Sequence, residues 1–256
     1  MINDSLFQGL LWVMSGLALI VFVALYFIKA GYGIFRTSRW GWSVDNKLGW
    51  VLMEAPVFFV VWWLWLSSGV GTSMPEYLFI LLFLLHYAQR SFLFPLLMKG
   101  KSRMPLSIMT MGIFFNLING VMQAGGICYY PATTYDEGLS YLTHPHAWIG
   151  LLLFFIGMAI NWHSDHVIRH LRKPGDTRHY LPGKGMYRYV TSANYFGELV
   201  EWIGFALLTA SPAAWVFVWW TFANLVPRAH AIHQRYIEEF GAVQVGRRKR
   251  IIPYIY

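Results

Sequence analysis

Apolar residues fall into seven runs along the chain, each close to the length that crosses the hydrocarbon core of a bilayer as a helix. They are Leu6 to Ile28, Leu48 to Leu66, Tyr77 to Leu97, Pro105 to Gly125, His146 to Ile168, Tyr195 to Ala210 and Pro212 to His230. The pattern predicts an all-α, polytopic membrane protein with seven transmembrane helices. Pro56 and Pro95 lie inside runs, which membrane helices tolerate when neighbouring groups satisfy the freed carbonyls. No basic segment precedes the first run and no small-residue cleavage site follows it, so that run is expected to remain as a span. No internal repeat or linker divides the chain, and a single domain over residues 1–256 is expected.

The polar connectors set an orientation. Lys29, Arg36, Arg39 and Lys47 separate runs one and two, Lys99, Lys101 and Arg103 separate three and four, and six cations from Arg169 to Arg188 separate five and six. The tail adds Arg228, Arg235 and the Arg247 to Arg250 cluster, while the alternate connectors carry no Lys or Arg. By the positive-inside rule the carboxyl terminus is cytosolic and the amino terminus is not. Of the 20 basic residues, Arg90 falls inside a run.

Composition agrees. Hydrophobic residues make up 57% of the 256 and charged ones 12%, far from a soluble domain, in which about a quarter are charged. The net charge of +8 lies between apolar runs rather than on one face of a soluble fold, which argues against nucleic acid as a partner. Nothing demands a protein partner either. Cys128 stands alone, so no disulfide or cysteine metal site can form within one chain.

Against this background the polar residues within the runs carry the chemistry, because a charge at membrane depth costs a few kcal/mol and is kept for a partner or a task. Glu54 interrupts VLMEAPVFFVVWWLWL, and the third run holds His86, Tyr87 and Arg90. Asn161 and Asp165 are four apart, as are Asn194 and Glu198, so each pair shares a helix face near the cytosolic boundary. Glu201 follows on the sixth run. Helix glue is the plain structural reading. Taken jointly, the groups suggest a cavity with an apolar end for a lipid-like substrate and a polar, cationic end for an anionic cofactor. The segment RHLRKPGDTRHYLPGKGMYR offers Arg forks for phosphate and glycines for close backbone approach. No GxGxxG follows a strand, so a nucleotide would bind within the helical bundle. His163, His166 and His170 have helical spacing, yet no HxxHH element accompanies them, and no metal is expected.

These residues also carry a resemblance. NWHSDHVIRHLRKPG (Asn161 to Gly175), YVTSANYFGELVEWIGFAL (Tyr189 to Leu207) and the ending RAHAIHQRYIEEF with RRKRIIPYIY closely resemble the carboxyl-terminal region of the steroid 5α-reductase family. AGYG at Ala30, MEAP at Met53, HYAQRSF at His86 and NGVMQ at Asn119 extend the likeness over the amino-terminal half. The resemblance implies an enzyme that uses NADPH to reduce the 4,5 double bond of 3-oxo-Δ4-steroids. It implies that Glu54 and Tyr87 hold the steroid ketone, and that Asn161, Asp165, Arg172, Asn194, Glu198, Arg228 and Tyr236 contact the cofactor. Residues 1–125 would then form mainly the substrate pocket and 146–256 mainly the NADPH region. The membrane would be a bacterial inner membrane or the endoplasmic reticulum, with the cofactor site facing the cytosol. The chain departs from animal members at Met53, where Gln is common, in a thinned histidine run at His230 and His233, and in a missing YP before the final basic stretch. Very-long-chain enoyl-CoA reductases, isoprenylcysteine methyltransferases and sterol reductases share a related carboxyl-terminal region, and a lipid binder without turnover is the non-enzymatic alternative.

Overall fold

The helices of the first three apolar runs open where a side chain caps the first turn. In the computed structural model, which describes residues 3–35, 37–69, 73–99, 102–131, 138–172, 176 and 178–256, the Asn3 side chain accepts from the Leu6 amide and opens α1 (Asp4–Phe27). Asp45 accepts from the amides of Lys47 and Leu48 and opens α2 (Asn46–Ser67). Ser73, followed by Pro75 in the first turn, opens α3 (Met74–Ala88). Arg36, Lys101, Lys173 and residues 173–175 and 177 of the glycine-rich loop lie outside the described residues, as do 70–72 and 132–137 of the uncharged connectors.

The third run is not one regular helix. After α3 the ladder widens into a π-helical turn, Gln89–Leu93, before a short α4 (Phe94–Leu97). α5 (Leu106–Ala124) likewise ends in a π-helical turn, Gly125–Tyr129. Such turns occur often at functional sites. α6 (Pro145–Arg169), α7 (Ala193–Thr209), α8 (Pro212–Phe240) and a single turn, α9 (Ala242–Val245), complete the helices. Ala210, in the left-handed region at φ 49°, makes the tight corner between α7 and α8. The all-helical expectation needs one amendment: β1 (Ser43–Asp45) pairs antiparallel with β2 (Arg103–Pro105), tying the connectors ahead of α2 and α5 into a two-stranded ribbon.

Among the described residues, five helical stretches are long and apolar enough to cross a membrane, namely α1, α2, Met74–Leu97, Leu106–Tyr129 and α6. Their outer faces are apolar, with Trp12 79%, Phe27 83% and Trp63 66% exposed. Surfaces of this kind belong in lipid, and the chain is an integral membrane protein. α7 is shorter and carries two glutamates, while α8 runs ten residues past His230, supported by Arg235 to Glu239 at i,i+4 (3.4 Å).

Small residues decide the tightest packing. Gly150 and Gly157 of α6 face Gly204 and Gly197 of α7 so closely that a Cβ on any of them would lie 2.2 to 2.4 Å from backbone nitrogen of the opposite helix. Backbone contact of this kind is how membrane helices associate where burial of apolar surface offers no net gain. Around it, Phe79, Phe83, Tyr87, Phe154, Trp202 and Phe205 form the aromatic core between α3, α6 and α7.

Candidate active site

α5 is the template on which the central polar groups are arranged. Pro56 interrupts the backbone ladder of α2, and the Asn116 amide donates to the Met53 carbonyl within the preceding turn (2.7 Å) and to the Glu54 carboxyl (3.3 Å). One turn on, Asn119 donates to the Tyr87 hydroxyl oxygen (3.3 Å). Gln123, a further turn on, donates to Asn119 Oδ1 (3.1 Å) and to the Ala213 carbonyl (3.0 Å). The Gln123 contact fixes which end of the Asn119 amide faces Tyr87. Because Tyr87 accepts from Asn119, its own proton stays free to donate elsewhere. Glu54 is half-buried, and its charge acts on Tyr87.

Arg90 stands beside this pair. The π-helical turn places it so that its guanidinium lies over Trp50 (4.8 Å) and Phe94 (4.4 Å) and reaches Asp165 at 3.4 Å. The field of Arg90 also acts on Glu54. Behind Tyr87, His86 Nδ1 meets the Glu201 carboxyl at 2.7 Å, both groups buried, and the His86 ring packs on Trp202 at 4.5 Å. His86, Arg90 and Glu201 stand out in the sequence as intramembrane polar groups without an assigned role, and Asn119 and Gln123 are not singled out there as site residues. The i,i+4 spacing of Asn119 and Gln123 inside an apolar run was the signal for the amide chain.

Toward the end of the bundle that carries the basic loops, the two expected polar faces meet. Asn161 donates to the Asn194 carbonyl (3.0 Å), and Asn194 donates to Asp165 (3.3 Å) and accepts from the Tyr187 hydroxyl (3.3 Å). Glu198 makes no hydrogen bond among the described residues, so its carboxylate is an open acceptor, and its charge is felt by Arg90, Glu54 and Tyr87. Arg228 donates to Tyr195 (2.8 Å) and to the carbonyls of Tyr32 (3.1 Å) and Ala30 (3.5 Å), with its guanidinium 3.7 Å over the Tyr32 ring. It therefore latches the AGYG connector over the bundle. Tyr236 lies within electrostatic reach of Tyr195 and Tyr187 at the edge of this cluster, and Arg172, exposed in the loop after α6, is within electrostatic reach of Tyr236. Burial pushes the Tyr236 hydroxyl up to about 12.

The residues present fit an anionic, hydroxyl-rich cofactor. Among the described residues, Ser164 Oγ, Ser192 Oγ and one Arg169 Nη are buried without a protein partner, and Glu198 offers an acceptor with no hydrogen bond. Among the described residues, no group of three His, Cys, Asp or Glu gathers as a metal would require. His166 and His170 stack on each other (4.1 Å), and His163 packs over Gly185.

An acid, a phenol and an arginine gathered within the helical bundle, next to a cluster of polar groups at its basic end, are what a membrane-embedded enzyme would need. The family model described as 3-oxo-5-alpha-steroid 4-dehydrogenase matches residues 102–256. Over 98% of its length the chain is 35% identical to 3-oxo-5-alpha-steroid 4-dehydrogenase 1 of Mus musculus, covering 97% of that protein. It is 34% identical to steroid 5-alpha-reductase DET2 of Gossypium hirsutum, with 99% of each chain covered, and 34% identical to the Homo sapiens 3-oxo-5-alpha-steroid 4-dehydrogenase 1, with 99% and 97% covered. The chain belongs to the steroid 5α-reductase family of oxidoreductases.

Proposed function

We propose that the protein reduces the 4,5 double bond of 3-oxo-Δ4-steroids to 5α-dihydrosteroids with NADPH. One observation carries the reading: Asn116 and Asn119, neighbours on one face of α5, bond to Glu54 and Tyr87 and so hold an acid and a phenol near each other among apolar helices. The bound nicotinamide supplies a hydride. Addition at C5 drives negative charge onto the C3 oxygen, which in an apolar pocket is costly unless donors already point there. Tyr87 donates its free proton to that oxygen, and Glu54, in its protonated form, donates the second. Solvent or a nearby acid protonates C4.

Asn161, Asp165, Arg172, Asn194, Glu198, Arg228 and Tyr236 hold the cofactor. Asp165 and Glu198 accept from ribose hydroxyls or the carboxamide, and Arg172 and Arg228 suit phosphate oxygens. In this reading residues 1–125 form mainly the substrate pocket and 146–256 mainly the cofactor region. α7 and α8 complete seven spans, with the amino terminus outside and the carboxyl terminus and cofactor end in the cytosol, as the basic connectors require.

The test is turnover of testosterone with NADPH by the purified protein. Tyr87→Phe and Glu54→Leu should each keep NADPH binding but lower turnover by roughly two to three orders of magnitude, the scale for losing one oxyanion donor. Parental turnover by Glu54→Leu would make Glu54 helix glue and end the assignment.

A further inference from the structure

A second polar cluster lies away from the candidate active site, where α1 ends beside α8 and the carboxyl-terminal segment. Tyr256 turns back so that its hydroxyl is 3.3 Å from that of Tyr26 and 3.4 Å from His230 Nδ1, while the Tyr26 and His230 rings pack at 5.6 Å. The Arg250 guanidinium lies 4.7 Å over the Tyr256 ring, and its Nε is buried without an acceptor. Lys29 extends from the end of α1, touching the Phe35 ring at 5.7 Å, and its side chain is exposed.

Electrostatically the cluster is unbalanced. The charges acting on His230 are those of Arg250 and Lys29, those acting on His233 are those of Arg250 and His230, and no carboxylate is among them. Among the described residues, neither Lys29 nor Arg250 joins an ion pair. Cations held together without an acid attract an anion. The flanks are apolar and open, with Phe27 83% and Ile255 75% exposed, next to the outer surface of a membrane helix. A free phosphate has no use for such flanks, whereas a lipid does.

We propose that Lys29, His230 and Arg250 bind the phosphate headgroup of an anionic phospholipid, with its acyl chains along Phe27 and Ile255. Arg250 supplies a charge-assisted donor and Lys29 a point charge at the membrane boundary, where basic residues gain most from anionic lipid. The bound lipid then bridges α1 to α8, a seam that the structure otherwise closes at this level through Tyr26, Tyr256 and His230.

The full chain in detergent, titrated with phosphatidylglycerol and separately with phosphatidylcholine, is read for retained lipid by native mass spectrometry. Phosphatidylglycerol should be held well above phosphatidylcholine. The Lys29→Gln/Arg250→Gln double variant should bind it roughly thirtyfold more weakly, the loss expected for two cations beside an anionic headgroup. Arg235→Gln, which alters a cation paired with Glu239, should bind like the parent. Lys29→Gln alone, at an exposed position with a single ring contact, gives a smaller loss and carries the test if the double variant does not fold. Equal retention of both lipids, parental binding by these variants, or displacement of phosphatidylglycerol by equimolar inorganic phosphate overturns the proposal.

Discussion

Replacing Gly157 by alanine adds one methyl group at the seam between α6 and α7. That Cβ would sit 2.2 Å from the Glu201 nitrogen and 2.6 Å from both the Glu201 Cα and the Gly197 carbonyl oxygen, all backbone atoms that cannot rotate away. Ordinary contact begins near 3.4 Å, so the helices must part by about 1.2 Å at this level. A gap of that order removes a quarter to a half of the dispersion energy of each contact along the seam. Overpacking costs about 1–3 kcal/mol, while alanine in place of glycine in a helix regains about 1 kcal/mol; the clash here is with backbone, at the upper end of that range, so a net loss of about 2 kcal/mol is expected. At roughly 2–4 °C per kcal/mol for a chain of this size, the melting temperature should fall by about 4–8 °C. One and two turns further along α6, Asn161 and Asp165 bond across the same seam at 3.0 and 3.3 Å, and parting the helices stretches both contacts beyond bonding range. NADPH affinity, read by isothermal titration, should therefore drop about tenfold. Gly9→Ala and Gly16→Ala in α1, where nothing lies within 4 Å, are the controls and should be neutral or slightly stabilising. Unchanged melting and NADPH affinity in Gly157→Ala, or equal damage in the controls, would refute the argument.

Two further outcomes follow from charge and position. Arg172→Ala should raise the apparent NADPH constant at least several-fold and leave the steroid constant nearly unchanged, because Arg172 lies in the exposed loop near Tyr236 and away from Glu54 and Tyr87; equal changes in both would reduce it to a loop support. In a Cys128→Ser background, a cysteine at position 248 should react with an impermeant thiol reagent only from the cytosol and one at position 136 only from the opposite side. Labelling of both from one side would overturn the seven-span topology.

The helices were legible in the sequence because lipid imposes a length and a composition on every span, and most predicted ends lie within a few residues of the observed ones. The α8 extension was not, since QRYIEEF is polar and helical, and hydropathy registers only the first property. The meeting of Asn161 and Asp165 with Asn194 could be anticipated because i,i+4 spacing fixes a face. The partners of Arg90 and His86 could not. Asp165 and Glu201 lie 75 and 115 residues further along, and periodicity within one helix says nothing of which helix stands opposite. The ribbon was equally hidden, its two three-residue strands lying about sixty residues apart in sequence without alternation to mark them.

The π-helical turn Gln89–Leu93 makes the third span sensitive to chain length rather than to composition. Its i,i+5 closure, Phe94 amide to Gln89 carbonyl, accommodates one more residue than an α-helical turn between the same end points. Deleting any residue there would leave an acceptable apolar helix, but everything beyond it would turn by about 100° relative to Tyr87, and Phe94 would leave Arg90. Substitutions in this stretch perturb single contacts, whereas a one-residue deletion changes the phase of the span. Functional relatives should therefore vary in residue type between Gln89 and Leu93, Arg90 excepted, before they vary in length.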